Sequence, residues 1–210
     1  NYGDDLLLRV KGVLKAEYEI QDDREFLVSQ DGSKTLLSSA SSGQKESIRM
    51  IQDILMAVGN LGSNFLRVIE EPEAHLFPVA QKQLIELLVF LANAQPGNQV
   101  IITTHSPYVL STFNNLLFAS RVVAKNPSAE EEVNEIAPSA FRIDPNTFAA
   151  YSLGNSYNPN PEVKYCESIV DPEMGMIDQN FLDDVSDLLG AEFHRLQLIH
   201  VRTFSPHGRP

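Results

Sequence analysis

Two short apolar runs, each ending in polar residues, constrain this chain more than anything else in it. The first, Phe65–Ile69, ends in the adjacent carboxylates Glu70 and Glu71. The second, Val100–Ile102, ends in Thr103, Thr104 and His105. Pro72 stops the first run, and Pro78 suits the first turn of a helix. Leu84, Leu87, Leu88 and Leu91 then recur at helical spacing before Asn93–Gly97 ends the pattern. Strand, helix, strand makes a parallel pair joined by a right-handed crossover. Both C-terminal strand ends then share one edge, where open α/β sheets hold ligands.

The flanking stretches are read in the same way. Residues 4–37 predict an antiparallel β-meander: LLLRVKGVL and AEYEI as strands, a turn at Asp22–Asp23, REFLVS as a strand, and a hairpin signal at Asp31–Gly32. SSASSG (38–43) is a small polar turn leading into a helix, with Ser42 placed at the N-cap and Ile48, Ile51, Leu55 and Val58 as the apolar face. Residues 65–70 are expected to form a short buried strand, with Arg67 facing a different layer. Residues 107–118 predict a helix. Beyond them, RVVAKN is expected as one more strand, SAEEEVNEIAPS as an acidic loop, and AFRIDPNTFAAYSL as a hairpin around Asp144–Asn146. NSYNPNPEVKY reads as irregular, and Phe181, Val185, Leu188 and Leu189 mark an amphipathic helix. Two units are expected: 1–125, containing the meander and the strand–helix–strand core, and 126–210, a C-terminal extension with a hairpin and a helix.

Composition narrows the function classes. The 210 residues carry a net charge of −12, from 16 basic against 28 acidic side chains, so the chain as a whole is no nucleic-acid clamp. The single cysteine, Cys166, excludes an internal disulfide and fits a reducing compartment. No apolar run reaches the length of a membrane span, and NYGDDLLLRV lacks the order of a signal peptide. A cytoplasmic location and no membrane partner are the expectations.

The residue types at the strand ends suit phosphoryl transfer to water. A divalent cation needs oxygen ligands and the attacking water needs a positioned base. Glu70 and Glu71 point different ways from a strand end, so one can hold a metal while the other faces a second ligand. His105 can hydrogen-bond a γ-phosphate, and a small-residue helix N-terminus at Ser41–Gln44 can cap an anion. Each feature has an ordinary reading as well: a solvated acidic pair, a turn histidine, a Ser/Gly linker. His75 and His194 are left at that reading. The order and spacing of the set set it apart from its members.

Residues 38–107 resemble the C-terminal half of an ABC-type ATPase head of the RecF and structural-maintenance-of-chromosomes group. ASSGQ (Ala40–Gln44) looks like the signature motif, VIEEP (Val68–Pro72) like Walker B with its adjacent glutamate, EAHLF (Glu73–Phe77) holds the D-loop position, and ITTHSP (Ile102–Pro107) looks like the switch-histidine loop. The wording SSASSGQ, EEPEAHLFP and IITTHSPY is most similar to AAA-family ATPases related to the OLD proteins and to antiphage systems of the Septu and Gabija type. The resemblance implies an α/β fold: part of a P-loop NTPase head of the ABC type, with a parallel sheet core, an N-terminal antiparallel β-meander and a C-terminal helix. It implies ATP and Mg²⁺ as cofactors. Glu71 would be the base that orients water, His105 the γ-phosphate contact, and Glu70 the Mg²⁺ carboxylate, acting through water. Ser41, Ser42, Gly43 and Gln44 would meet the ATP of a second subunit, so the implied partner is a second copy in a head-to-tail homodimer. A separate effector nuclease or DNA contacted by other regions is also implied, in DNA maintenance or phage defence.

The departures from that pattern are specific. Ser42 replaces the first glycine of the usual signature pair, Glu70 replaces an aspartate, and Phe77 stands where a D-loop aspartate is common. No GxxxxGK(S/T) occurs in the 210 residues. The phosphate-gripping loop is therefore expected upstream of Asn1, so that the full protein hydrolyses ATP and this chain alone does not. One alternative is a degenerate head that only dimerises or holds a partner. Another, a metal-dependent nuclease, would need the carboxylates Glu130–Glu132 or Asp183–Asp184 in a strand–turn setting, which the sequence does not give them.

Overall fold

The computed structural model describes residues 2–59, 64–153, 166–178 and 192–198. Its first element corrects the sequence reading. Residues read as a strand form helix α1 (Tyr2–Leu14). Leu6, Val10, Val13 and Leu14 face the core, a spacing of four, three and one that only a helix aligns, while Leu7 and Leu8 stay exposed. Asp4 and Asp5 in the first turn and Lys11 in the last complement the helix dipole.

The meander itself begins later, as β1 (Glu17–Gln21), β2 (Arg24–Val28) and β3 (Lys34–Leu36) in one antiparallel sheet. Asp22 and Asp23 both adopt positive φ, at 50° and 57°, the geometry a two-residue hairpin requires. Helix α2 (Ser42–Gly59) is tied to this sheet by Arg49, whose guanidinium donates to both Glu25 oxygens at 2.7 and 2.6 Å. Those bonds, with a further one from the Tyr18 hydroxyl, hold the Glu25 carboxyl at about 2. The buried face of α2 is Gly43, Ser47, Ile48, Ile51 and Ile54, and Leu55 is exposed. The expected face of Ile48, Ile51, Leu55 and Val58 is thus rotated toward Ile54. Both sets satisfy the period, and packing against α1 and α3 (Pro78–Asn93) selects between them.

The strand–helix–strand unit forms as expected. β4 (Leu66–Glu70) pairs in parallel with β5 (Gln99–Thr103), in register from Leu66↔Gln99 to Glu70↔Thr103, with α3 between them in sequence. The strand is not buried, however. Ile69 and Ile102 pack on the core, but Leu66, Val68 and Ile101 are 56, 61 and 51% exposed. No element of the described residues covers that face. Arg67 turns toward α2, pairs with Asp53 at 3.0 Å and stacks on Phe65.

After β5, helix α4 (Pro107–Lys125) runs through the residues read as a strand, because Val122 and Val123 continue its core-facing side. The acidic stretch is helix α5 (Glu130–Ile136), not loop: three glutamates sit in its first turn, and Val133 reaches the core. The expected hairpin around Asp144–Asn146 is absent. Two 3₁₀ turns, Ser139–Phe141 and Pro145–Thr147, stand there instead, the second capped by Asp144 accepting from the Asn146 amide. Short antiparallel pairs follow: β6 (Tyr151–Leu153) with β7 (Cys166–Ser168), and β8 (Val170–Asp171) with β9 (Met176–Ile177). Asn114 on α4 donates to the Ile177 carbonyl and accepts from its amide, each at 2.8 Å. The stretch read as irregular, 154–165, and the helical markers Phe181, Val185, Leu188 and Leu189 lie outside the described residues; 192–198 is helical. No helix among the described residues is long and apolar enough to cross a membrane.

Helix α3 is buried on most sides. Leu84, Ile85, Leu87, Leu88 and Leu91 are fully enclosed by α1, α2, α4 and the first 3₁₀ turn. Its Glu86 is buried too, and charge there demands partners. Arg9 from α1 approaches Glu86 Oε2 with Nε at 2.9 Å, off-line for a hydrogen bond, and lies over the Phe141 ring at 3.8 Å. Lys82, four residues earlier on α3, donates to the other oxygen at 2.6 Å. Removing Arg9 leaves the carboxylate enclosed with one half-exposed cation. Arg9→Ala is therefore expected to lower unfolding free energy by about 3 kcal/mol in urea titration, and the apolar pair Arg9→Met with Glu86→Leu to recover most of it.

Candidate functional site

The two strand ends meet as the spacing requires. Register places Glu70 beside Thr103, and one residue on, the Glu71 amide donates to the Thr103 carbonyl at 2.9 Å and to its hydroxyl at 3.3 Å. Glu71 has a φ of +45°, which turns the chain out of the strand. Its carboxylate oxygen then lies 3.3 Å from His105 Nε2, with both side chains open to solvent, the histidine 89% and the glutamate 53% exposed. A pair this wet adds little stability. Glu70, the last residue of β4, is exposed on the same side of the strand as Leu66 and Val68.

Beside Glu71 the structure holds an open cleft of about 480 Å³, walled by Glu46 and Met50 of α2 and by Glu70, Glu71 and Thr103 of the strand ends. Its donors are oxygens, the hard ligands that Mg²⁺ takes. Among the described residues no three His, Cys, Asp or Glu side chains gather closely enough to hold an ion.

The small-residue turn is a capping box. Ser41, rather than Ser42, caps α2. Its hydroxyl accepts from the Gln44 amide at 3.3 Å, while Gln44 Oε1 accepts from the Ser41 amide and hydroxyl at 3.3 and 3.1 Å. The remaining end of the Gln44 side chain donates to the Leu14 carbonyl at 2.9 Å, which closes the C-terminus of α1. Gln44 is therefore occupied on both ends. Ser41 and Ser42 are exposed, and neither lines the cleft at Glu71. Gly43 is buried against the loop that follows β4: a Cβ there would sit 2.5 Å from the His75 carbonyl oxygen.

Three residues to which the sequence reading gave no role of their own, Glu73, Ser106 and Gln81, support the site. Glu73 is buried beneath the histidine loop, accepting from the Thr104 hydroxyl and, at 3.3 Å, from the His105 amide. The Ser106 hydroxyl donates to Gln81 on α3 at 2.6 Å. The sequence signal was there in the Pro72-Glu73 step, but a carboxylate in a turn reads as solvated until the loop is seen folded inward. Among the other acidic candidates, Glu130 pairs with Arg142 at 3.1 Å, and Asp183 and Asp184 lie outside the described residues.

The described residues thus present a strand–crossover–strand unit with a carboxylate and a histidine on its shared edge, preceded by a capped small-residue turn. Among known families, the AAA ATPase domain model matches residues 6–110, which take in most of α1, the meander, the turn and both strand ends. The chain belongs to the AAA ATPase domain family.

The Gly43 contact gives a direct check of this packing. Gly43→Ala must push α2 off the His75 carbonyl and is expected to cost about 1–3 kcal/mol. Gly59→Ala meets nothing within 4 Å and is expected to be neutral or slightly stabilising. Thermal melts of the two variants compare them directly.

Proposed function

We propose that this chain supplies the hydrolysing half of a composite ATP site. In this reading Glu71 takes a proton from the attacking water as its oxygen bonds to the γ-phosphorus. The bond from that phosphorus to the bridging oxygen breaks, and ADP and inorganic phosphate leave. His105, on the neighbouring strand end, donates from its ring to a γ-phosphate oxygen and keeps Glu71 oriented before the nucleotide arrives. Glu70 would hold Mg²⁺ through water, and the ion would offset charge on the phosphate oxygens. The observation that carries this reading is the 3.3 Å approach of Glu71 and His105 across paired strand ends, with both groups turned to solvent.

The Ser41–Gln44 turn is assigned to the ATP of a second copy. The exposure of Ser41 and Ser42, and their place outside the Glu71 cleft, support that assignment. What it can offer is the Ser42 side chain and the first-turn amides of α2, since Gln44 is already committed within the chain. ATP would then join two heads in a two-fold, head-to-tail dimer, and hydrolysis would part them. The grip on the β- and γ-phosphates is assigned to chain outside these residues, because no GxxxxGK(S/T) lies within them. That same absence favours one competing reading, a head-like module that pairs with partners without hydrolysis. Binding of an ATP analogue to the full-length protein separates the two, since the module would bind none. The motif wording supports a reading in DNA maintenance or phage defence, with DNA or a nuclease subunit engaged through other regions.

Glu71→Gln removes the base and leaves the shape. In the full-length protein it is expected to lower ATP turnover by about 10²–10⁴-fold while ATP affinity stays within a few-fold of wild type. Turnover at the wild-type rate would show that Glu71 is not the base.

A further inference from the structure

We propose that Glu73 is a positioning residue that locks the histidine strand end onto the Glu71 strand end. The proposal rests on the reading of Glu71 and His105 as the hydrolytic pair.

Glu73 is 7% exposed, in a loop where a carboxylate would ordinarily turn to water. One of its oxygens accepts from the Thr104 hydroxyl and from the His105 backbone amide, and the other is enclosed with no hydrogen-bond partner. Enclosing a half-satisfied carboxylate opposes folding, so its presence beside two solvent-facing site groups calls for a compensating use. The backbone around it is also held in an unfavourable form. Glu71 and His75, at φ +45° and +62°, bracket Glu73 with two non-glycine residues in the left-handed region. Those two turns send the Glu71 side chain outward while the Glu73 side chain passes inward under His105.

The connection is closed into a circuit by neutral groups. The Thr104 hydroxyl oxygen accepts from the Ser106 amide at 3.0 Å. The Ser106 hydroxyl donates to Gln81 Oε1, and Gln81 Nε2 donates to the Leu76 carbonyl at 2.9 Å. The loop after β4 and the loop after β5 are thereby joined at Glu73 and again through the first turn of α3. The backbone of His105 is fixed, yet its ring remains free to swing between Glu71 and a phosphate. Glu73 touches neither substrate nor reacting atoms in this scheme; it acts through the place it gives His105. Loss of that placement acts on turnover more than on nucleotide affinity.

Two measurements test this. The first is hydrogen exchange at the His105 amide, by NMR on the 210-residue chain. Glu73→Ala is expected to speed exchange about tenfold or more, and Glu73→Gln, which keeps an accepting oxygen, to stay within about threefold of wild type. Thr104→Val, which removes the hydroxyl donor but not the carboxylate, gives a partial increase and serves if Glu73→Ala fails to fold. Exchange in Glu73→Ala or Thr104→Val as slow as wild type overturns the proposal. The second is steady-state ATP turnover in the full-length protein. Glu73→Ala is expected to lower kcat about 10²-fold with KM for ATP within about threefold, and Glu73→Gln to restore most of it. A Glu73→Ala protein with full kcat, beside a dead Glu71→Gln protein, sinks the positioning role alone. A wild-type full-length protein without turnover sinks the hydrolytic reading, and the positioning role with it, even if the exchange result holds.

Discussion

A helix enclosed on nearly every side is the constraint on which this structure depends. The leucines of α3 have no exposed surface, so α1, α2 and α4 must each present an apolar stripe to it, and β4 and β5 must enter and leave it on one side. That enclosure turns strand spacing into site geometry. The crossover length brings Glu70 level with Thr103, and the next residue of each strand end follows. Burial also traps a charge, Glu86, which recruits Arg9 from α1 and so draws the N-terminal helix into the same core. Packing on this scale fixes a site edge better than the solvent-exposed Glu71–His105 contact at that edge could.

The parts of the fold legible in sequence were those where one periodicity had no rival. α3, the positions of the two strands around it, the part of the expected 4–37 meander that lies beyond α1, and the start of α4 were read correctly from spacing and turn residues. α1 was missed because LLLRV satisfies apolar run and helix alike, and only the core face, with Leu7 and Leu8 left out, distinguishes them. α5 was missed because three successive glutamates suggest a solvated loop, whereas at a helix N-terminus their charge is favourable. The uncovered face at Leu66, Val68 and Ile101 was beyond sequence reasoning, since an apolar residue in a strand is silent on what lies over it.

For the site, the types and spacing of Glu70, Glu71, Thr103 and His105 were legible, and the structure brings Glu71 and His105 together. What sequence could not show is what supports them. Ser41 and Gln44 bond each other, and Gln44 reaches back to the end of α1, so the turn is tied to the N-terminal helix. Gly43 rests against the His75 carbonyl, so this turn packs directly on the loop carrying Glu71. Glu73 joins that loop to the histidine loop. A small-residue turn, a carboxylate strand end and a histidine loop that read as three separate motifs are in direct contact through Gly43 and Glu73.

If that connected set serves two nucleotides at once, its halves are separable between subunits. The most direct test mixes two full-length variants, Glu71→Gln and Ser41→Arg, each inactive alone in the proposed scheme. In a mixed head-to-tail dimer one site keeps both the glutamate of one copy and the serine turn of the other. Turnover is then expected to reappear on mixing and to approach about a quarter of the wild-type rate at equal amounts. A mixture that forms dimers yet stays as inactive as its components would contradict the account.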